Sequence, residues 1–345
     1  MGWLAGFEPA TPRSTIWCSD LLSYSHHAAA AGRPTGHRWR RSGHDSTSRL
    51  TVTLWMAAPP LALNPRSLLF TLYGDYVRPL GQRDVRVGAL VRLAGELGVG
   101  GSALRTALSR MTREGWLAAR RNGGSPRYRL TPRGDQLIEE GTRRIYDHRA
   151  VWDGRWLLVS YSLPEPRRGQ RDRLRQGLSF LGLGSLGNGL FVTPHDLRAQ
   201  VRDLIRRCGV ESDVTLHHGT LEWPADPAQV VARAWDLDHL GSRYAEFLER
   251  TRSALAGEAA LDDREAFRSR FLLTHEFRRF PYSDPDLPDA LLPSGWVGSA
   301  AHAAFLEYNA RLRERAERFY TSIAVEETIV ENSDRTAVTS PPGGS

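Results

Sequence analysis

From residue 65 onward the chain acquires a regular apolar period. Leu68, Leu69, Leu72, Tyr73 and Tyr76 recur at helical spacing, and Pro79 with Gly81 ends that helix. Val87, Leu90, Val91, Leu93, Ala94 and Leu97 predict a second amphipathic helix, closed by Gly98. After the short turn Val99-Gly100-Gly101 a third helix follows, with Leu104, Leu108 and Met111 as its buried stripe. Residues 116–121 and 127–130 then alternate as strands. The Asn122-Gly123-Gly124-Ser125-Pro126 link between them is a hairpin signal. Thr131-Pro132 has the form of an N-cap and first helical position, opening a helix to about Arg149. Three helices, a hairpin and a trailing helix predict a winged helix-turn-helix over 61–150, the trailing helix serving as linker.

Beyond it, 155–163 (RWLLVSYSL) reads as a buried strand and 167–181 as an Arg-rich amphipathic helix. Leu190-Phe191-Val192 is a strand after a Gly-rich turn, 195–208 a helix and 214–221 a strand. Strands alternating with helices at this density predict a ferredoxin-like α/β sandwich over 151–226. Residues 227–327 read as mainly helical (227–256, 262–279 and 298–322), with a Pro-rich connection at 280–296. The fold class is therefore α+β. The polar tail 328–345 is expected to be disordered.

Residues 1–60 hold no apolar period lasting two helical turns, and the unbroken apolar core of a secretory signal is missing. The opening 26 residues resemble the conceptual translation of a transfer-RNA gene, and Met56 stands just before the first well-patterned segment. This stretch is expected to be a disordered or untranslated extension. Its Cys18, His26, His27 and His37 read as a solvated tail rather than a metal cluster. No run approaches the ~18 apolar residues of a membrane span. The two cysteines, Cys18 and Cys208, support neither a disulfide framework nor a four-Cys zinc site.

Charge sharpens the picture. All 46 basic residues are Arg, so the presence of Arg alone is uninformative. Its distribution is not: residues 1–60 sum to +3, 61–150 to +8 and 151–345 to −4. The window 100–133 holds eight Arg and one acid, Glu114, a net +7 that equals the charge of the whole chain. A focused basic patch on a chain whose larger part is acidic is the footprint of a polyanion-binding module. On the third helix the apolar stripe leaves Ser102, Arg105, Thr106, Ser109, Arg110 and Arg113 on the other side. Arg can pair bidentately with guanine O6 and N7, and Ser and Thr reach phosphates or bases. A solvated helix face would intersperse acids, and this one does not. Arg120, Arg121, Arg127 and Arg129 in the hairpin fit a wing lying on phosphates.

Enzyme readings run out of residues. Gly182, Gly184 and Gly187 form a G-x-G-x-x-G, but it follows a helix and precedes a strand, the reverse of a dinucleotide fingerprint. His217 and His218 point to opposite sides of a strand, and His275-Glu276 lacks the second His of a zinc protease. No catalytic residue, resident metal or cofactor is expected.

RSLLFTLYGDYV at 66–77, ALRTALSRMTREGWL at 103–117, WDGRWLLVSYSLPE at 152–165 and LLTHEFRRFPYSDPDLPDALLPSGWVG at 272–298 resemble the PaaX-like family of transcriptional repressors of phenylacetate catabolism. The resemblance spans roughly 64–325. It implies a cytoplasmic, homodimeric regulator that binds palindromic double-stranded operator DNA and is released by phenylacetyl-CoA or a related aryl-CoA thioester. The family's middle domain is similar to ferredoxin-like CRISPR adaptation nucleases, which carry a metal-binding Asp after the first strand's aromatic residue. Here that run is Tyr161-Ser162-Leu163, and a hydroxyl cannot replace a charged metal ligand, so a structural or dimerising role is the better reading. His275, Arg278, Arg279, Asp284 and Trp296 of the C-terminal motif are candidates for the effector, the guanidiniums holding phosphates and the indole stacking on an aryl ring. The alternative for each is structural: an Arg279–Asp284 ion pair and a core Trp296. The two competing functions are a metal-dependent nuclease and a nucleic-acid-binding module without sequence preference.

Overall fold

The computed structural model describes residues 63–121, 125–146, 151–224 and 226–338. The expectations for 1–60, the hairpin tip and the last residues of the linker helix lie outside them. Two compact units emerge: the described residues of one run from 151 to 235, and those of the other combine 63–146 with 236–338.

The second unit opens with α1 (Pro65–Leu72), capped by Asn64, whose side chain accepts from the Arg66 N–H. It continues as one π-helical turn, Tyr73–Val77. A two-residue strand β1 (Val85–Arg86) leads into α2 (Val87–Glu96), then α3 (Gly101–Arg113), β2 (Leu117–Arg120), β3 (Arg127–Leu130) and α4 (Pro132–Tyr146). Gly115, at φ 75°, turns the chain from α3 into β2, a left-handed conformation that glycine adopts without steric cost. Thr131 caps α4 as expected: its hydroxyl accepts from Gly134 N and donates to Gly115 O at 2.7 Å. The strands form one antiparallel sheet in the order β1-β3-β2, with Ala119 opposite Tyr128 and Arg120 opposite Arg127. β1 is too short to leave a period in the sequence.

The contiguous unit holds β4 (Trp156–Tyr161), α5 (Arg168–Phe180), β5 (Gly184–Gly187), β6 (Leu190–Thr193), α6 (Arg198–Cys208), β7 (Val214–Gly219) and α7 (Pro227–Ala234). Its antiparallel sheet runs β5-β6-β4-β7. The glycines of 182–187, read as a tight connection, instead contain β5. Gly184 has no room for a side chain, because a Cβ there would lie 2.6 Å from both Ala234 and Trp235. Leu157, Val159, Leu174, Leu178, Phe191 and Val201 form the core between sheet and helices.

Three further helices return to the second unit, the one that opens with α1: α8 (Leu237–Ala256), α9 (Asp263–Phe277) and α10 (Val297–Val338). The single helix expected over 227–256 is two, because Asp236 caps α8 by accepting from His239 N. Helix α10 passes the expected helix end at 322 and continues into the tail expected to be disordered, running to Val338, since after Gly298 no Pro or Gly interrupts it before Pro341. Helix α1 and its π turn are embedded among these helices. Tyr76 stacks on Tyr320 at 5.4 Å and lies 5.2 Å from Phe267, with the Arg270 guanidinium 4.8 Å above its ring. The segments read as separate N-terminal and C-terminal domains thus share one core.

Candidate nucleic-acid interface

The buried side of α3 consists of Leu104, Ala107, Leu108 and Met111. This leaves Ser102, Arg105, Thr106, Ser109, Arg110 and Arg113 exposed on the opposite side. Among the described residues no carboxylate pairs with Arg105, Arg110 or Arg113. Thr106 folds its hydroxyl back to Ser102 O at 3.0 Å. The one acid of the basic window is structural. Glu114 receives Arg66 at 2.9 Å and the Trp116 indole N–H at 3.1 Å, and its carbonyl accepts from Arg133. Arg133 also lies 3.9 Å over the Trp116 ring, a close cation–π contact. This bracket fixes the end of α3 against α1 and α4 while keeping the carboxylate out of the exposed face.

In the hairpin, Arg120, Arg121 and Arg129 are exposed. Arg127 differs. It faces Arg120 across the strands, a like-charge pairing that costs stability, and Asp84 compensates it at 2.7 Å. Arg127 therefore first serves the strand pairing at the tip end of the hairpin. Arg83, exposed beside it, belongs with the basic surface but was not foreseen. It sits in an aperiodic loop, and only its position beside Asp84 could have drawn attention to it.

The C-terminal candidates are placed otherwise. Arg278 is buried and donates to Ser67 O at 3.1 Å and to the Thr71 hydroxyl at 2.7 Å, with a further bond to the Ser67 hydroxyl. His275 is buried beside it, its Nδ1 3.2 Å from Thr71 Oγ1. Burial, reinforced by Arg278 and Arg279, holds that imidazole well below its ordinary pKa. Both side chains are spent on docking α9 against α1. Asp284 accepts from the Tyr244 hydroxyl at 2.7 Å rather than forming the alternative ion pair with Arg279. Trp296 meets the Tyr244 ring edge-on at 6.0 Å. Arg279 is half-buried. The structure places the α3 candidates and Arg120, Arg121 and Arg129 on exposed surface, and it engages His275, Arg278 and Asp284 with Thr71 and Tyr244.

Among the described residues no three His, Cys, Asp or Glu side chains gather as a metal site, and no helix is long and apolar enough to cross a membrane. The fold and site define a mixed α+β protein with two antiparallel sheets and an exposed, acid-free basic helix followed by a basic hairpin. Three family models match in succession: PaaX-like protein over 64–134, PaaX protein central Cas2-like domain over 149–231, and PaaX-like protein C-terminal domain over 235–322. The chain is 31% identical over 281 residues to the transcriptional repressor PaaX of Escherichia coli K12, covering 79% of this chain and 88% of that protein. The chain belongs to the PaaX-like family. Among solved structures, the uncharacterized protein Rv0674 from Mycobacterium tuberculosis is 21% identical at a TM-score of 0.48, covering 79% of this chain and 98% of that one.

Proposed function

We propose that this protein is a DNA-binding transcriptional repressor, with residues 64–146 acting as a winged helix-turn-helix. Helix α3 enters the major groove and presents Arg105 and Arg110 to base edges. Arg120, Arg121 and Arg129 of the β2–β3 wing hold phosphates. The observation that carries this reading is the outer face of α3: six polar side chains, three of them Arg, exposed and without an acid, on a helix whose other side is fully buried. The similarity to a transcriptional repressor supports it. The central unit, ferredoxin-like in its βαββαβ order, serves assembly of a homodimer, which would read a palindrome at one-turn spacing. The protein works in the cytoplasm on an operon for the breakdown of an aromatic acid and is released by an aryl-CoA thioester. Nuclease chemistry is disfavoured by Tyr161-Ser162-Leu163, where the metal-binding Asp of the related nucleases is replaced.

The test is fluorescence anisotropy of the full chain on the duplex upstream of its own gene and on a scrambled duplex, across a salt series. Preference for the native duplex by a factor of at least 10³, and its loss on adding phenylacetyl-CoA but not phenylacetate or coenzyme A, supports the reading. Equal affinity for both duplexes assigns a non-specific module instead.

A further inference from the structure

The loop between the π turn and β1 overhangs a pair of adjoining clefts. One, of about 440 Å³, has a largely apolar floor of Tyr73, Val77, Leu130 and Pro132, with Ala118 and Arg129 of the hairpin at its side. The other, of about 280 Å³, is more polar and is bounded by Arg127 of β3 and by Ala324 of α10. Gln82 and Arg83 line both. Together they lie in the size range of small-molecule sites, and an apolar floor with a few convergent polar groups is the usual make-up of such sites.

The electrostatics of the clefts are lopsided. The two wall carboxylates are already engaged: Asp135 takes Arg78 at 2.8 Å and Asp84 takes Arg127 at 2.7 Å. Among the described residues Arg83 and Arg129 have no such partner, and both are exposed at the rim. Two uncompensated guanidiniums above an apolar floor suit an anion with a flat apolar body, because paired guanidiniums hold phosphate or carboxylate by charge-assisted hydrogen bonds.

The walls also belong to parts that must cooperate. The hairpin forms one side, the start of α4 another and α10 a third. The Tyr320 hydroxyl on α10 donates to Gln82 Oε1 at 2.6 Å, and Arg92 on α2 pairs with Glu326 on α10 at 2.9 Å. A ligand seated here touches the root of the hairpin and the helix that braces α2, so it can favour one placement of the hairpin over another.

We propose that these paired clefts are the effector site, taking a small organic anion whose charge rests on Arg83 and Arg129 and whose apolar body rests on Tyr73, Val77 and Leu130. The consequence for DNA rests on the repressor reading above; binding itself does not. The site is distinct from the C-terminal motif, where His275 and Arg278 are occupied by α1.

The test is isothermal titration calorimetry of the full chain without DNA, using phenylacetyl-CoA, coenzyme A and phenylacetate. Phenylacetyl-CoA is expected to bind, with affinity at least tenfold weaker in Arg83→Gln and in Ala118→Phe, which fills the larger cleft. Arg83→Gln alters an exposed side chain and decides the matter if Ala118→Phe does not fold. Unchanged affinity in Arg83→Gln together with loss in Arg279→Gln overturns the assignment and moves the ligand to the C-terminal motif. Absence of binding by all three probes, with Arg83→Gln weakening native and scrambled duplexes alike, also overturns it: Arg83 then belongs to the DNA surface. In that outcome, preference of the unaltered protein for its native duplex shows that the repressor reading stands.

Discussion

The outer face of α3 and the inner face of α9 put the same side chain to opposite uses. On α3, Arg105, Arg110 and Arg113 stand in solvent with no carboxylate partner among the described residues. On α9 and its C-cap, Arg270 and Arg278 are buried. Arg270 donates to Asn309 Oδ1 at 3.3 Å and to the Asp75 carbonyl at 3.4 Å beneath the ring of Tyr76. Arg278 ties Ser67 and Thr71 of α1 to the C-cap of α9. In a chain whose every basic residue is Arg, residue type cannot separate these roles; neighbours can. The α3 arginines follow a regular apolar stripe on a polar helix, whereas Arg270 and Arg278 interrupt a segment rich in Phe and Leu. A cation inside an apolar run points to a buried polar joint as readily as to a ligand.

Four experiments sharpen or break this contrast, the largest effect first. Arg270→Ala removes the cation facing buried Asp75, whose carboxyl is raised above its ordinary pKa by burial while Arg270 opposes the shift. Leaving a buried acceptor unsatisfied costs about 1–3 kcal/mol, and Arg270 serves both Asn309 Oδ1 and the Asp75 carbonyl. Urea denaturation is therefore expected to show a loss of at least about 2 kcal/mol, and a loss below about 1 kcal/mol would place Arg270 with the surface set. Arg105→Ala and Arg110→Ala are expected to leave stability within about 0.5 kcal/mol. They should reduce discrimination between native and scrambled duplex by about 1–3 kcal/mol. An equal loss on both duplexes would remove α3 as the reader.

The third experiment concerns His275, whose pKa is depressed in the folded protein chiefly by burial. The unfolded chain therefore takes up the proton first, and stability falls as pH drops below the ordinary value of 6.5. The slope is at most about 1.4 kcal/mol per pH unit. Asp75 and Glu276 shift upward through burial and act in the opposite sense, so the informative quantity is the difference between the unaltered protein and His275→Gln. Melting temperatures between pH 7 and 5 should fall less in the variant; parallel curves would show that His275 is protonated in the fold. The smallest effect is expected in the hairpin. Arg120→Ala and Arg121→Ala should each weaken both duplexes alike by under about 1 kcal/mol and lower the salt slope by about one. Base preference appearing on either change would make the hairpin a reader too.

The long periodic elements were legible because each buries one side. The stripes of α2 and α3, the hairpin and the Thr131 cap all lie where spacing placed them. What escaped depends on partners remote in sequence. β1 is two residues paired with β3, and β5 is a glycine-bearing strand made by α7 and Trp235 closing over Gly184. The exposed α3 face was readable because exposure follows from local period. Arg127 reads as one of the wing's phosphate contacts because Asp84, its partner, lies 43 residues earlier. The C-terminal motif offers side chains with ligand chemistry, but nothing local reveals that Thr71, more than 200 residues away, occupies Arg278 and His275.

The shared core of α1 with α9 and α10 has a consequence for biosynthesis. The unit at 151–235 is contiguous and can close as soon as it leaves the ribosome. The unit bearing α3 cannot, because the partners of Tyr76 include Phe267 and Tyr320, both made only after the whole of 151–235. Domains form as units when their residues have emerged, so α1 waits with its apolar side uncovered until α10 is made. A product that stops before α10 leaves α1 and α2 without the helix they pack against. On the repressor reading, copies lacking α10 are poor competitors for DNA, and occupancy counts only chains that include it.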